Sequence, residues 1–232
     1  MSETGRAAPL LQPYLASTPC VDAAHPAIIA FAHDVTNGAH GPRDIAMRLY
    51  YAVRDGIRYD PYAIELTERG LCASGTLECG RGWCVSKAVL LAAAARALGI
   101  PARLGYADVR NHLSTARMRE SMGTDEFYWH GYTALHLEGQ WVKATPAFNL
   151  GLCEKFRIRP LDFDGTADSL YHPYDLDGRR HMEYLRYRGE YADVPIGAIA
   201  ADFAAHYPRM MEMLARGDFE REVEREAAPS GD

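Results

Sequence analysis

The chain has 232 residues and a formal net charge of −6, from Lys+Arg 25 against Asp+Glu 31. That balance argues against a polyanionic partner, so nucleic-acid binding is not expected. Hydrophobic residues make up 48% of the chain, enough for a full core, while no apolar run approaches the roughly 20 residues that span a bilayer, so no membrane partner is expected.

One α+β domain over residues 1–232 is predicted, with a helical lead-in at 13–41, a core at about 42–150 and a C-terminal extension at 151–232. The opening MSETGRAAPLLQPYL lacks the charged start and apolar centre of a signal peptide. Cysteines at 20, 72, 79, 84 and 153 suggest no disulfide framework, and the steps between Cys72, Cys79 and Cys84 are not those of a zinc site. A reducing cytoplasm follows as the expected setting, with no metal and no cofactor.

In chain order, PAIIAFAHDVT from Pro26 reads as a short helix with proline in its first turn. PRDIAMRLYYAVRDGI from Pro42 reads as a second, since Ile45, Leu49, Val53 and Ile57 recur every four residues. Pro61 then disfavours helix, and Tyr59 and Tyr62 flank the turn. Residues 63–80 read as irregular. The next stretch, GRGWCVSKAVLLAAAARALG, organises the rest. Gly80 and Gly82 make a turn that delivers Trp83, Cys84 and an unbroken helical run, stopped by Gly99 and Pro101. Ala88, Leu91, Ala95 and Leu98 continue one face from Cys84. A thiol at a helix N-terminus meets unpaired N–H groups that favour the thiolate, so a pKa below about 8.5 is expected. The alternative is a small buried cysteine that merely fills the helix start.

ARLGYADV reads as a strand, and residues 109–128 as a charged excursion with at most one helical turn. Excursions of that length inside a domain are commonly lids or binding loops, so His112 could touch substrate. HGYTALHL-EG-QWVKAT is a hairpin with a two-residue Glu-Gly turn. With Leu137 opposite Gln140, one face holds His130, Tyr132, Ala134, His136, Trp141, Lys143 and Thr145; the other holds Gly131, Thr133, Leu135, Leu137, Val142 and Ala144. After a turn-rich stretch, HMEYLRYRG could be strand or short helix. PIGAIAADFAAHYP and RMMEMLAR read as helical pieces ahead of a charged tail.

A cysteine at a helix start becomes a catalyst when a base from elsewhere takes its proton and a third group orients that base. His130, at the start of a strand directly after the excursion, is the candidate base. GRGWCVSKAVLLAAAARALGIPARLGYADV followed by WHGYTALHLEGQWVKATPAFN resembles the core of the transglutaminase-like superfamily of papain-type cysteine enzymes. The resemblance implies a central helix packed on an antiparallel sheet, Cys84 as nucleophile and His130 as general base and acid. It also implies an aspartate at the end of the following strand, where this chain has Thr145. A threonine hydroxyl can accept a hydrogen bond from imidazole but offers no charge. In this register Thr145 is only diagonal to His130 and Pro146 can swing the chain, so Asn149 rather than Thr145 is the expected orienting group, as asparagine is in papain-type enzymes; Asp162 and Asp164 are remoter candidates.

The expected activity is acyl transfer from a peptide or small acyl substrate through a thioester on Cys84, with water as the acceptor. Transfer to an amine is the alternative, and a binding module that kept the fold is another. The backbone N–H of Cys84 is the natural first oxyanion donor, and Tyr59, Tyr62 or Trp83 could supply a second or line the substrate site.

Overall fold

Residues 10–112, 114–210 and 218–227 are described by a computed structural model. Two proline-initiated helices lead in, α1 (Pro26–Val35) and α2 (Gly41–Gly56). Proline suits a first turn, where its missing N–H has no intrahelical acceptor. α2 buries Ala46, Leu49, Tyr50 and Val53, a face rotated slightly from the predicted Ile45–Leu49–Val53 row.

Residues 63–80 are not irregular throughout. They form α3 (Glu68–Leu71) and α4 (Ala73–Cys79). The Thr67 hydroxyl accepts the Gly70 N–H at 3.0 Å to cap the first, and Gly80 ends the second with φ 62°. Helices this short carry no apolar repeat, so only their end signals were there to be read. On either side of them, β1 (Arg58–Tyr59) and β2 (Arg81–Gly82) pair in parallel and bring Tyr59 next to the turn that delivers Cys84.

Helix α5 (Cys84–Ala97) is buried from Cys84 through Arg96. It lies between the helical layer of α1, α2 and α4 and the sheet. Its two cations are spent inside. Lys87 Nζ donates to the carbonyls of Arg54 (2.9 Å), Ile57 (2.5 Å) and Ala147 (2.8 Å). The Arg96 guanidinium donates to the carbonyls of Ala16, Ala102 and Ala192. Both side chains thus satisfy backbone oxygens at the ends of α2 and β3 and in neighbouring loops.

The sheet is antiparallel with order β5-β4-β3-β6, formed by β3 (Ala102–Asn111), β4 (Glu126–Leu137), β5 (Gln140–Ala144) and β6 (Met182–Tyr191). The Glu138-Gly139 turn has positive φ at both residues, 50° and 90°, as a tight hairpin requires. Leu137 pairs with Gln140 and His136 with Trp141, the predicted register. The Gly131–Thr133–Leu135 face meets α5: Thr133 Oγ1 donates to the Ala88 carbonyl at 2.8 Å. A Cβ on Gly131 would stand 3.0 Å from Val85 Cα, so glycine is what lets the strand touch the helix start.

The excursion before β4 is shorter than predicted. β3 runs on to Asn111, β4 begins at Glu126, and the connection holds the seven-residue α6 (Ala116–Met122), capped by Thr115. Beyond β5 come α7 (Leu150–Phe156), a turn-rich stretch, β6, α8 (Ile196–His206) and α9 (Phe219–Ala227). β6 settles HMEYLRYRG as strand, and the charged tail contains a helix. Of the predicted RMMEMLAR piece, all but Arg209 and Met210 lie outside the described residues. Among the described residues no helix is long and apolar enough to cross a membrane.

Candidate active site

Cys84 reaches its place through a tight passage. A side chain on Gly82 would collide with the Ser86 hydroxyl, which accepts the Trp83 N–H at 3.1 Å and so fixes the helix entry. The amides of Gly131, Val85 and Cys84 itself all point at the sulfur. These contacts favour a thiolate, as the helix-start argument predicted, but burial outweighs them: Cys84 is 7% exposed, and its thiol is pushed up to about 11. The expected depression is overturned because desolvation acts on the anion with no cation beside it.

His130 is aimed by a β-bulge. Ala107 pairs with His130 and Val109 with Phe127, so Asp108 faces both Tyr128 and Trp129. Trp129 adopts φ 62°, unusual for a bulky residue, and it is held on every side. Its N–H donates to Asp108 Oδ1 at 3.2 Å and its indole N–H to Asp202 Oδ2 at 2.8 Å. The Arg188 guanidinium bridges Asp108 (2.7 Å) and Asp202 and lies 4.8 Å over the Trp129 ring. This network makes the strand end rigid one residue before His130. The imidazole, 6% exposed, is pushed down to about 4 by burial and then by the neighbouring His181. The proton of the pair therefore rests on sulfur. Cys84 and His130 line one cavity of about 40 Å³, together with Tyr59 and Trp83.

On its other side His130 lines a second cavity, of about 20 Å³, with Thr145 and His181. Here His130 Nε2, Thr145 Oγ1 and His181 Nδ1 are all buried and make no hydrogen bond among the described residues. The same holds for the hydroxyl of Tyr184, whose ring stands edge-on to His130 at 6.4 Å. Burial pushes the Tyr184 phenol up, and Thr145 tempers the shift, so the two hydroxyls are neighbours. Thr145 thus sits where the register placed it, on the His130 face. Asn149 is engaged away from Thr145, at the start of a helix. It precedes α7, and its Oδ1 accepts the Tyr59 N–H at 3.1 Å.

The other candidates divide. Trp83 and Tyr59 border Cys84, and the buried Trp83 indole N–H has no acceptor among the described residues. Tyr62 is committed elsewhere, its hydroxyl within 2.7 Å of Thr115 Oγ1 and donating to Glu222 at 2.5 Å. His112 pairs with Glu183 at 3.1 Å on the surface. Asp162 is exposed and Asp164 closes a local turn with Thr166, so neither orients His130. Sequence reasoning missed Tyr184, His181 and the Asp108–Arg188–Asp202 support. Asp108, set between Ala107 and Val109 in the middle of β3, was the one local sign of that support. Among the described residues no group of three or more His, Cys, Asp or Glu could hold a metal.

A cysteine heading a buried central helix, with a histidine on the facing antiparallel sheet, is the layout of papain-like α+β proteins. The model of the transglutaminase-like superfamily matches residues 29–146, just over half of the chain, and the chain belongs to that superfamily. No curated protein matches it. Among solved structures, a "putative cysteine protease" from Cytophaga hutchinsonii is similar at TM-score 0.52 and 16% identity, over 86% of this chain and 53% of that one. A "putative protease" from Parabacteroides distasonis is similar at TM-score 0.38 and 15% identity, over 51% of this chain and 23% of that one. The chain thus spans about half or less of the length of these structures. The first likeness is one of fold.

Proposed function

We propose that the protein is a cysteine-dependent acyl-transfer enzyme that hydrolyses an amide or related acyl substrate. The observation that carries this is the convergence on one cavity of Cys84, its sulfur ringed by three amides, and His130. A binding module has no need to keep a nucleophile and a base together at the head of a buried helix.

The reaction follows from the resting proton. Because thiol and imidazole are both neutral, His130 acts first as base: it takes the Cys84 proton as Sγ bonds to the substrate carbonyl carbon. The oxyanion finds amide donors already at the helix start, and the Trp83 indole N–H is the second candidate donor. His130 then protonates the leaving nitrogen as the C–N bond breaks, leaving a thioester on Cys84. Water, deprotonated by His130, releases the acid and restores the thiol. Thr145, with Tyr184 behind it, takes the orienting role that an aspartate would fill. Hydrolysis is favoured over transfer to an amine because, among the described residues, the wall of the Cys84 cavity carries no carboxylate to hold a cationic acceptor. The five unpaired cysteines support a reducing, cytoplasmic setting.

The test is intact-mass trapping of an acyl-enzyme from a panel of peptide amides and activated esters, with peptide mapping. An acyl adduct on Cys84 that is absent in Cys84→Ala, and that forms far more slowly in His130→Ala, is the expected result. No adduct at Cys84 with any donor would leave the binding module as the better reading.

A further inference from the structure

The cavity beside Cys84 and His130 has an unusual wall. Four methionines contribute, Met118 and Met122 from α6, Met182 from β6 and Met210 after α8, together with Phe203 and Tyr207. Among the described residues, none in the wall carries a formal charge at neutral pH, given that His130 is held neutral. Its outer phenols are already engaged: Tyr128 donates to Glu126 Oε2 at 3.2 Å and Tyr207 to the Glu126 carbonyl at 2.7 Å. Five of the wall residues, Phe148, Met182, Phe203, Tyr207 and Met210, lie beyond the 29–146 match, so part of this lining comes from outside the matched core.

From this we propose that the cavity is the acyl-side subsite, and that it selects substrates whose acyl group is apolar and uncharged. The inference rests on the reading of Cys84 as nucleophile. A carboxylate entering here would lose its water with no cation among the described residues to replace it. An alkyl or phenyl group loses nothing by the same transfer and gains contact with the wall. Methionine suits such a wall because its unbranched thioether adapts to differing apolar shapes. The cavity opens directly onto the sulfur, so an occupant joined to the carbonyl under attack is the one its position admits.

The experiment uses the full chain and four p-nitrophenyl esters: acetate, hexanoate, 3-phenylpropanoate and the succinate monoester. In each, Cys84 Sγ bonds to the carbonyl carbon, the C–O bond breaks, and p-nitrophenolate leaves with the electron pair. The acyl group remains as a thioester, detected by mass. Surface Cys79 in the same sample reports each ester's intrinsic reactivity. Normalised to Cys79, hexanoyl and phenylpropanoyl transfer to Cys84 should exceed acetyl and succinyl transfer by at least about tenfold. Met122→Ala should shift the ratio of phenylpropanoyl to hexanoyl transfer. Equal normalised rates across the series, or succinyl at or above hexanoyl, would overturn the subsite while leaving the nucleophile intact. Failure of every ester to acylate Cys84 would remove the nucleophile reading, and the subsite with it.

Discussion

Helix α5 and the cover over its head are held by opposite means. α5 is fixed from within: Lys87 and Arg96 spend their N–H groups on buried carbonyls, and Thr133 ties the sheet to the Ala88 carbonyl. The cover is α6 braced by α9, and the brace between them is made largely of ion pairs. Glu222 accepts from Arg117 (2.5 Å) and Tyr62, Glu226 accepts the Ala116 N–H (2.8 Å), and Lys155 pairs with Glu220 and Glu224. Beneath these ion pairs α9 rests on a small apolar patch of Leu152, Phe219 and Val223, while α6 buries Met118 and Met122 in the main core. Buried hydrogen bonds are insensitive to salt, whereas exposed ion pairs are weak and screened. The catalytic geometry can therefore stay rigid while its entrance loosens, which a site this deeply covered needs in order to admit substrate.

The strongest test of that contrast is Lys87→Met. It leaves three carbonyls without their donor, at about 1–3 kcal/mol for each that stays unsatisfied, partly offset by removing a charge that burial already pushes down to about 7. Urea unfolding should show a loss of several kcal/mol. A loss within error would mean that α5 is not anchored from within.

Acid should strike the core next. His130 and His181 are both held neutral, each pushed down to about 4. The unfolded chain binds protons at these positions from about pH 6.5 downward while the folded chain does not, so stability is complete above that pH and falls as pH drops toward 4. The loss is on the order of a few kcal/mol, and it should shrink in His181→Phe. A stability curve flat between pH 6.5 and 5 would contradict the neutral pair.

Within the site, Thr145→Val and Tyr184→Phe should each lower kcat/KM about tenfold, as expected for a positioned hydrogen-bonding group, and should shift the acid limb of the pH–rate profile. Asn149→Ala should instead lower thermal stability by freeing the Tyr59 N–H, with the profile unmoved. The opposite ranking would return the orienting role to Asn149.

The smallest effect is expected at the cover. Glu222→Gln should speed iodoacetamide labelling of Cys84 a few-fold at low salt with little change in melting temperature. The gain should vanish at high salt, where the wild-type latch is screened too. Equal labelling of both proteins at every salt concentration would show that α9 does not govern access.

The local signals carried far. Proline and glycine marked the ends of α1, α2 and α5; alternation and a two-residue turn gave the β4–β5 register to the residue. Together they named Cys84 and His130 and put Thr145 on the histidine's face. All of these follow from spacing along one or two neighbouring segments, where the backbone period decides which side chains share a face. What the chain could not show locally was settled by groups far apart in sequence. The Trp129 bulge depends on Asp108, Arg188 and Asp202; Tyr184 reaches Thr145 from β6; Asn149 is claimed by Tyr59. The protonation state is the clearest case. A cysteine at a helix start promised a thiolate, yet the thiol stays protonated because the sheet and the cover together exclude water, and desolvation is a property of everything packed around a group rather than of its place in the chain.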